Sequence, residues 1–524
     1  MANTAPPLAA PPLSGHPRRW AILAVLLVSL LIVTLDNTVL NVALEVLADP
    51  TRGLGATQGE LQWAINSYTL VFAALLFTFG ILGDRLGRRR ILVFGLVLFG
   101  LSSFVSAYAR DPAQLVAARA FMGIGAAAVT PVTLSIISNV FDPRERGKAI
   151  GVWTASAGLA IAIGPIVGGL LLDHFWWGSV FLINVPIIVV GVVAVFALVP
   201  ESRDPKPGRI DVVGVLLSIA GLVALVYGII EGGESGDWSR WDVYGGLVVG
   251  ALVLVGFVLW ERRIDHPSLD VRLFRDPRFS AASGAVGAAF FALMGVFFFV
   301  SFYAQVIRGY TALQTGLLLL PFAVGQLVFA VRSAAMVRRF GLKAVCAAGL
   351  ALVAGSSSVY VWADADTPIW YVLVALFVQG AGMSNVMPPA IEALVSLLPR
   401  EQAGVGSAVA NTIRQVGGAL GVAVLGALLT AVYRDGLEPW LAGVGPDASS
   451  ARDSVAAAHA VAAQARLPDL VGPADRAFVL AMHVSAIGAA TIATLGMLAV
   501  LVWMPRSSGH ASAGPPARPH PGPT

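Results

Sequence analysis

Apolar residues in this chain run on rather than alternate. Fourteen stretches of about 20 predominantly apolar residues follow one another from 20–43 to 477–504. At about 1.5 Å per residue each can cross the ~30 Å hydrocarbon core of a bilayer. The runs lack a period of two and are twice the length of a barrel strand, so the pattern predicts membrane-crossing helices. Composition agrees: 57% of the 524 residues are hydrophobic and 12% are charged, whereas soluble domains carry about a quarter charged. A water-soluble enzyme is thereby excluded. The net charge of +4 needs no polyanionic partner, because short Arg-rich cytoplasmic loops produce it, and no nucleic acid is expected to bind. The single cysteine, Cys346, rules out an intramolecular disulfide. Residues 1–17 form a Pro/Ala-rich tail without the marks of a cleavable signal.

Charge sets the expected topology. With both termini inside, 23 of the 34 Lys and Arg fall on cytoplasmic segments, 8 on outer segments and three, Arg119, Arg332 and Arg414, within spans. This bias favours an even number of spans with the amino terminus inside. A repeat is also visible. Gly-Asp-Arg-Leu-Gly-Arg-Arg at 83–89 is matched by Val-Arg-Arg-Phe-Gly-Leu-Lys 254 residues later, and Pro143-Arg144-Glu145 by Pro399-Arg400-Glu401 256 residues later. Two pairs at nearly one offset point to two six-helix halves, a layout that places a substrate site between repeats. The expected organisation is a disordered cytoplasmic tail (1–18), an N-terminal six-helix bundle (19–199) and a linker with two extra helices (200–278). A C-terminal six-helix bundle (279–504) with an outer loop at 433–475 and a second disordered tail (505–524) complete it. The fold class is an all-α polytopic membrane protein.

A charge in hydrocarbon costs several kcal/mol unless it finds a partner or a wet cavity, so intramembrane ionisable groups mark function. Asp36, in Leu-Asp-Asn-Thr-Val-Leu-Asn at 35–41, lies seven residues before the outer end of the first span, and Arg119 about four residues below the outer end of the fourth. Both sit roughly 6 to 11 Å below the outer boundary, within reach of each other. Burial makes a carboxylate harder to ionise and a neighbouring guanidinium makes it easier, so movement of Arg119 could load and unload one proton. A permanent ion pair that only fixes packing is the alternative. On a regular helix Thr34, Thr38 and Asn41 share one face and Asp36 points nearly opposite.

The turn at 80–90, with Gly80, Asp84, Arg85, Gly87 and Arg88, places Asp84 where an acid would meet the positive end of the third helix, and its arginines near lipid phosphates. Gly158, Gly164-Pro165 and Gly168-Gly169 in the fifth span permit close helix contact and a bend.

These stretches resemble the motifs of a known family. Residues 35–43, 80–90, 119–125 (Arg-Ala-Phe-Met-Gly-Ile-Gly) and 158–169 (ending Gly-Pro-Ile-Val-Gly-Gly) occur in order on the expected first, second, fourth and fifth helices. On them the chain is similar to the major facilitator superfamily, specifically its fourteen-helix drug:proton antiporters, over nearly its whole length. The resemblance implies two six-helix bundles plus two inserted helices, proton coupling through Asp36 and Arg119, and a conformational switch at the 80–90 turn. The second-half turn departs from the pattern, with Arg338 where the first half has Asp84.

The substrate side is less specific. Trp63, Asn66, Tyr68, Phe302, Tyr303 and Gln305 offer flat apolar surface with polar handles, suited to amphipathic compounds, although interhelical packing accounts for most such aromatics. Glu392 and Arg414 are further candidates for the cavity; Glu392 could also snorkel or pair with Arg400 or Arg414. His483 reads as a satisfied core histidine, and Arg332 as a snorkelling one. The expected function is a proton-coupled antiporter that exports hydrophobic or amphipathic drugs or antibiotics across the plasma membrane, the bacterial inner membrane. Its expected partners are the substrate, protons and membrane lipids; a monomer is expected, with no cofactor beyond the proton gradient. A dedicated exporter of one metabolite or self-made antibiotic is the alternative, with proton-coupled import behind it. No Gly-x-x-x-x-Gly-Lys-Ser/Thr loop and no His-Glu-x-x-His pair occurs, so a nucleotide-driven pump or zinc enzyme lacks its residues.

Overall fold

A computed structural model describes residues 16–203, 211–264, 267, 269–396, 403–441, 450–464 and 467–504. The N-terminal half comprises α1 (Arg19–Ala48), α2 (Gln58–Leu86), α3 (Arg88–Ala107), α4 (Pro112–Val140), α5 (Pro143–His174), the single turn α6 (Ser179–Leu182) and α7 (Asn184–Leu198). An inserted pair follows, α8 (Val212–Ser235) and α9 (Trp241–Glu261). The C-terminal half contains α10 (Pro277–Phe302), α11 (Ala312–Leu318), α12 (Leu320–Phe340), α13 (Leu342–Val359), α14 (Ile369–Ser396), α15 (Ala403–Leu441), α16 (Val455–Gln464) and α17 (Val471–Trp503). No strand occurs among the described residues.

Several helices start on residues that satisfy their first free amides. Thr57 caps α2 in a reciprocal box with Glu60, Thr311 caps α11 with Gln314, and Asp111 caps α4 ahead of Pro112. Each of the fourteen apolar stretches falls on a helix, α6–α7 and α11–α12 each covering one. Among the described residues twelve helices are long and apolar enough to cross a membrane, or thirteen when the two arms of α2, bent by 54° between Gln58–Leu76 and Thr78–Leu86, are taken together. On α5 only the shorter Ile163–His174 is counted as apolar helix. The described residues therefore reach thirteen spans at most, short of the fourteen expected. The two tails beyond 16 and 504, Pro399-Arg400-Glu401 and 442–449 lie outside the described residues.

The repeat seen in the sequence has a packing counterpart. A Cβ on Gly95 (α3) would lie 2.8 Å from the Gly125 carbonyl oxygen (α4), and one on Gly125 2.8 Å from the Gly95 oxygen. Gly349 (α13) and Gly382 (α14) meet at the same two distances. Likewise Gly123 lies against the Tyr68 carbonyl and Gly380 against that of Phe322. These positions are 254 or 257 residues apart, so both halves use small residues at equivalent crossings to bring backbones together.

The inserted pair stands outside this arrangement. α8 packs on α2 and α15 and thus touches both halves, while α9 packs on α8. Only 11% of the apolar window of α9 is buried, against 83% for the helix beginning at Pro277, so α9 is the outermost element and α10 a central one. Its exposed Val248, Val249, Leu252 and Val255 form a lipid-facing surface.

The halves meet through α2 and α15 and, at the C-terminal end of α5, through α5 and α11. Gly169 abuts the backbone of Leu313, Gly316 abuts the Pro165 carbonyl, and the Thr311 hydroxyl donates to Asp173 at 3.0 Å. Nearby, the Gln305 amide donates to the Val42 carbonyl of α1 at 3.0 Å. Gly169→Val is expected to wedge this contact, lowering stability by ~1–3 kcal/mol as overpacking does. A thermal midpoint in detergent unchanged from wild type would show that the α5–α11 contact carries no load.

Candidate functional site

The interior of the N-terminal half holds a charge network built by five helices. The Asp36 carboxylate on α1 faces Arg119 on α4: one guanidinium nitrogen, Nη1, donates to Asp36 Oδ2, and Nε donates to the Ala64 carbonyl of α2 at 3.0 Å. The guanidinium also lies 4.4 Å from the Tyr68 ring centroid, a cation–π contact strengthened by the absence of water. The other carboxylate oxygen, Oδ1, accepts from Asn184 Nδ2 at 3.1 Å. Asn184, the first residue of α7, donates as well to Ser103 Oγ at 2.9 Å, and Ser103 in turn donates to the Phe181 carbonyl at 2.9 Å. Both charged side chains are excluded from solvent, at 0% and 1% exposure. Such a pair is tolerable only because each charge has hydrogen-bonding partners besides the other.

Thr38 lies on the other side of α1. Its hydroxyl donates to the Leu35 carbonyl at 2.8 Å, and a Cβ on Gly164 of α5 would collide with it. A Cβ on Gly168 would come within 3.0 Å of Val39. The two faces of α1 thus divide as helical periodicity predicts, Asp36 toward α4 and α7 and Thr38 toward α5. Gly164, Gly168 and Gly169 seat α5 between α1 and α11, with Pro165 inside the helix; Gly158 lies on the same helix with its surroundings outside the described part.

The turn between α2 and α3 is tighter than expected, consisting of Gly87 alone. Gly87 has φ +115°, open to glycine at little cost, and its N–H donates to the Gly83 carbonyl at 3.0 Å. Asp84 does not stand before α3 as expected. It lies in the last turn of α2, where Arg88 reaches back to it with Nη2 at 2.8 Å and donates from Nη1 to the Ser135 carbonyl at 3.4 Å. The acid at the start of α3 is instead Glu201, which accepts from the Arg89 N–H at 3.1 Å and lies within 4 Å of the Arg89 and Arg90 guanidiniums. The Arg88 N–H donates to the Ser202 carbonyl at 2.9 Å. Gly80 faces Pro131 and Gly83 faces Val132 on α4. Arg85, in the last turn of α2, is engaged as well.

The aromatic candidates for a cavity do not converge. Tyr68 belongs to the charge network and donates to the Val33 carbonyl at 3.3 Å. Trp63 packs with Val226 and Ile230 of the inserted pair, Phe302 against Phe298 and Phe478, and the Tyr303 hydroxyl donates to the Asp364 carbonyl at 2.6 Å. Asn66 is fully buried, and Gln305 tethers the halves. Arg414 is half-buried on α15, with its guanidinium 5.5 Å from the Phe290 ring. Glu392 lies on α14, its side chain outside the described part. His483 is satisfied by the Ala363 carbonyl at 2.7 Å, and Arg332 is exposed. Outside the membrane, α16 packs on α17 and α1, and burial pushes the neighbouring Asp453 carboxyl above its ordinary value.

Asn184 and Glu201 were not singled out from the sequence. Asn184 is an amide interrupting the apolar run of the sixth span, and Glu201 an acid directly after it; those were the available signals, but their partners lie 148 and 112 residues away.

Comparison with known proteins follows the same lines. A family model described as Major Facilitator Superfamily matches residues 26–422. The chain is similar to a multidrug efflux pump, LfrA, of Mycolicibacterium smegmatis, with 36% identity over 452 residues covering 85% of this chain and 88% of that one. It is also similar to the puromycin resistance protein pur8 of Streptomyces alboniger, 36% identical over 419 residues, 79% of this chain and 82% of that one. Among solved structures it resembles a bacterial homolog of the human lysosomal transporter Spinster in an inward-facing, occupied conformation. The TM-score is 0.64 at 15% identity over 93% of this chain and 97% of that one, a likeness of fold.

Removing one member of the charge pair is expected to cost more than removing both. Arg119→Met should destabilise the protein by ~3–5 kcal/mol by stranding the Asp36 carboxylate, and Asp36→Asn added to it should restore most of that loss. Thermal unfolding of the single and double variants in detergent measures the coupling; simply additive losses would contradict a coupled pair.

Proposed function

The chain belongs to the major facilitator superfamily, and we propose that it is a secondary antiporter that exports hydrophobic or amphipathic drugs or antibiotics from the cytoplasm in exchange for protons. It is a transporter, not an enzyme, and a multi-pass protein of the inner membrane. The observation that carries the proton-coupled reading is the Asp36–Arg119 pair, sealed from solvent inside one half and held by Asn184, Ala64 and Tyr68. Permanent burial of a carboxylate and a guanidinium is an expensive way to fix packing, since apolar residues of equal volume do as well or better. Arg119 has no charged counterpart in the other half: 257 residues on, at the spacing of the α4 and α14 glycines, stands the buried Leu376.

In this reading Asp36 carries the proton and Arg119 is its alternative partner. When Asp36 is ionised, Arg119 neutralises it; when Asp36 takes a proton, the ion pair is lost and Arg119 keeps only the Ala64 carbonyl and the Tyr68 ring. The four helices that hold the pair gain freedom to shift, which links proton occupancy to rocking of the halves about the α5–α11 contact. The proton gradient drives the cycle, no cofactor takes part, and a monomer suffices because one chain supplies both halves. The multidrug efflux function named for the relative from Mycolicibacterium smegmatis supports polyspecific export. Resistance to a single antibiotic, named for the relative from Streptomyces alboniger, favours a second reading, a dedicated exporter of one compound.

Everted vesicles test both readings. Collapse of an imposed pH gradient by several unrelated amphipathic drugs, abolished by Asp36→Asn, is the expected outcome; response to one compound alone would select the dedicated exporter. Gradient collapse undiminished in Asp36→Asn would remove Asp36 from the proton path.

A further inference from the structure

A second feature lies away from the charge network. A cavity of about 620 Å³ opens between the inserted pair and the C-terminal half, with Ala73 and Ala74 of α2 at its edge. Leu222 of α8, Leu254 and Phe257 of α9, Phe291 of α10, Leu420 of α15 and Leu495 of α17 form its walls, and its lining is almost wholly apolar. Leu495 is 55% exposed, so the cavity opens toward the bilayer on the α17 side. At about 30 Å³ for a water-sized group the volume accommodates on the order of twenty such groups, the scale of one acyl chain. Water gains nothing in a site without polar partners, and an empty void forfeits the dispersion contacts of its walls. The surrounding medium supplies the occupant, since hydrocarbon chains lie alongside.

One end of the cavity distinguishes it from ordinary lipid-facing surface. Leu269 lines that end and belongs to the short segment joining α9 to α10, which carries Arg262, Arg263, Arg272 and Arg275; Arg278 follows in the first turn of α10, and all five are exposed. Among the described residues none of the five makes an ion pair. The two described acids of the segment are engaged as caps: Asp270 accepts from the Arg272 N–H at 3.0 Å and Asp276 from the Arg278 N–H at 2.8 Å. Arg272 ties the two ends of the segment together by donating to the Arg262 carbonyl at 2.6 Å. The arginine-rich end of the bundle is the cytoplasmic one by the positive-inside rule, where anionic headgroups concentrate.

We propose that this cavity and its arginine mouth form a binding site for one anionic phospholipid of the cytoplasmic leaflet. One acyl chain lies between α9 and α17, and the phosphate is held by the arginines of 262–278. A guanidinium suits this role because its planar fork pairs phosphate oxygens two at a time. The occupant bridges the inserted pair and the C-terminal half, which otherwise have hydrocarbon between them at this level. The site is independent of the transport reading, and its test needs no transport.

Purified full-length protein, delipidated in detergent, is titrated with dioleoyl phosphatidylglycerol or dioleoyl phosphatidylcholine, and bound lipids are counted by native mass spectrometry. The wild type is expected to retain one phosphatidylglycerol at least tenfold more tightly than phosphatidylcholine. Leu495→Trp, which fills the cavity from an exposed position, should weaken both lipids. The triple variant Arg263→Gln, Arg275→Gln, Arg278→Gln should bring phosphatidylglycerol down to the level of phosphatidylcholine and leave the latter unchanged; Arg272 is spared because it holds the segment. Thermal midpoints equal to wild type establish that both variants are folded. Equal retention of the two lipids by the wild type, or loss in the triple variant with none in Leu495→Trp, would overturn the site, the first indicating boundary lipid only and the second headgroup contact without the cavity.

Discussion

A carboxylate and a guanidinium held together in hydrocarbon constrain everything around them. Neither charge can be left alone there, so the backbone and side chains of five helices are arranged to supply what water no longer does. Arg119 takes the Ala64 carbonyl and the Tyr68 ring as well as Asp36, and Asp36 takes Asn184 as well as Arg119. The close crossings of α2 and α3 with α4 at Gly123, Gly95 and Gly125 keep these groups within reach, because a single Cβ at any of them would push the helices apart. The small residues of the N-terminal half therefore serve the pair as much as they serve packing.

The same economy explains how such a bundle can move. The C-terminal half repeats the glycine crossings, and among its described residues no buried ion pair stands beside them. Between the halves, α2 packs on α15 and α5 on α11; on α5, Gly164 and Gly168 face α1, and Gly169 faces α11. A helix without side chains on two of its faces can form close contacts and also release them, since little interdigitation has to be undone.

The inserted pair follows a different logic. α8 bridges α2 and α15, while α9 has lipid along most of its surface. Its separation from α17 is what produces the apolar cavity, and the short segment leading to α10 is what gives that cavity a cationic rim. The pair thus widens the lipid-facing perimeter of the protein without entering the charge network.

The amino-acid sequence alone determined the class of fold, the positions of the apolar helices, the recurrence of motifs between the halves and the reach of Asp36 and Arg119 for each other. These are local or periodic properties: the length of an apolar run, the recurrence of a motif and the cost of a charge in hydrocarbon are all readable in one dimension. The opposite orientation of Thr38 and Asp36 was legible for the same reason, since helical geometry fixes it. What only the tertiary structure decided is which groups meet. Asn184 completes the Asp36 network and Glu201 caps α3, but each is contributed by a segment more than a hundred residues from its partner. Asp84 falls inside α2 because the turn closes on Gly87 alone, and the aromatic residues expected at one cavity are dispersed because their helices face different neighbours. Periodicity gives each side chain a direction around its own helix; the helix that lies in that direction is fixed only when the bundle packs.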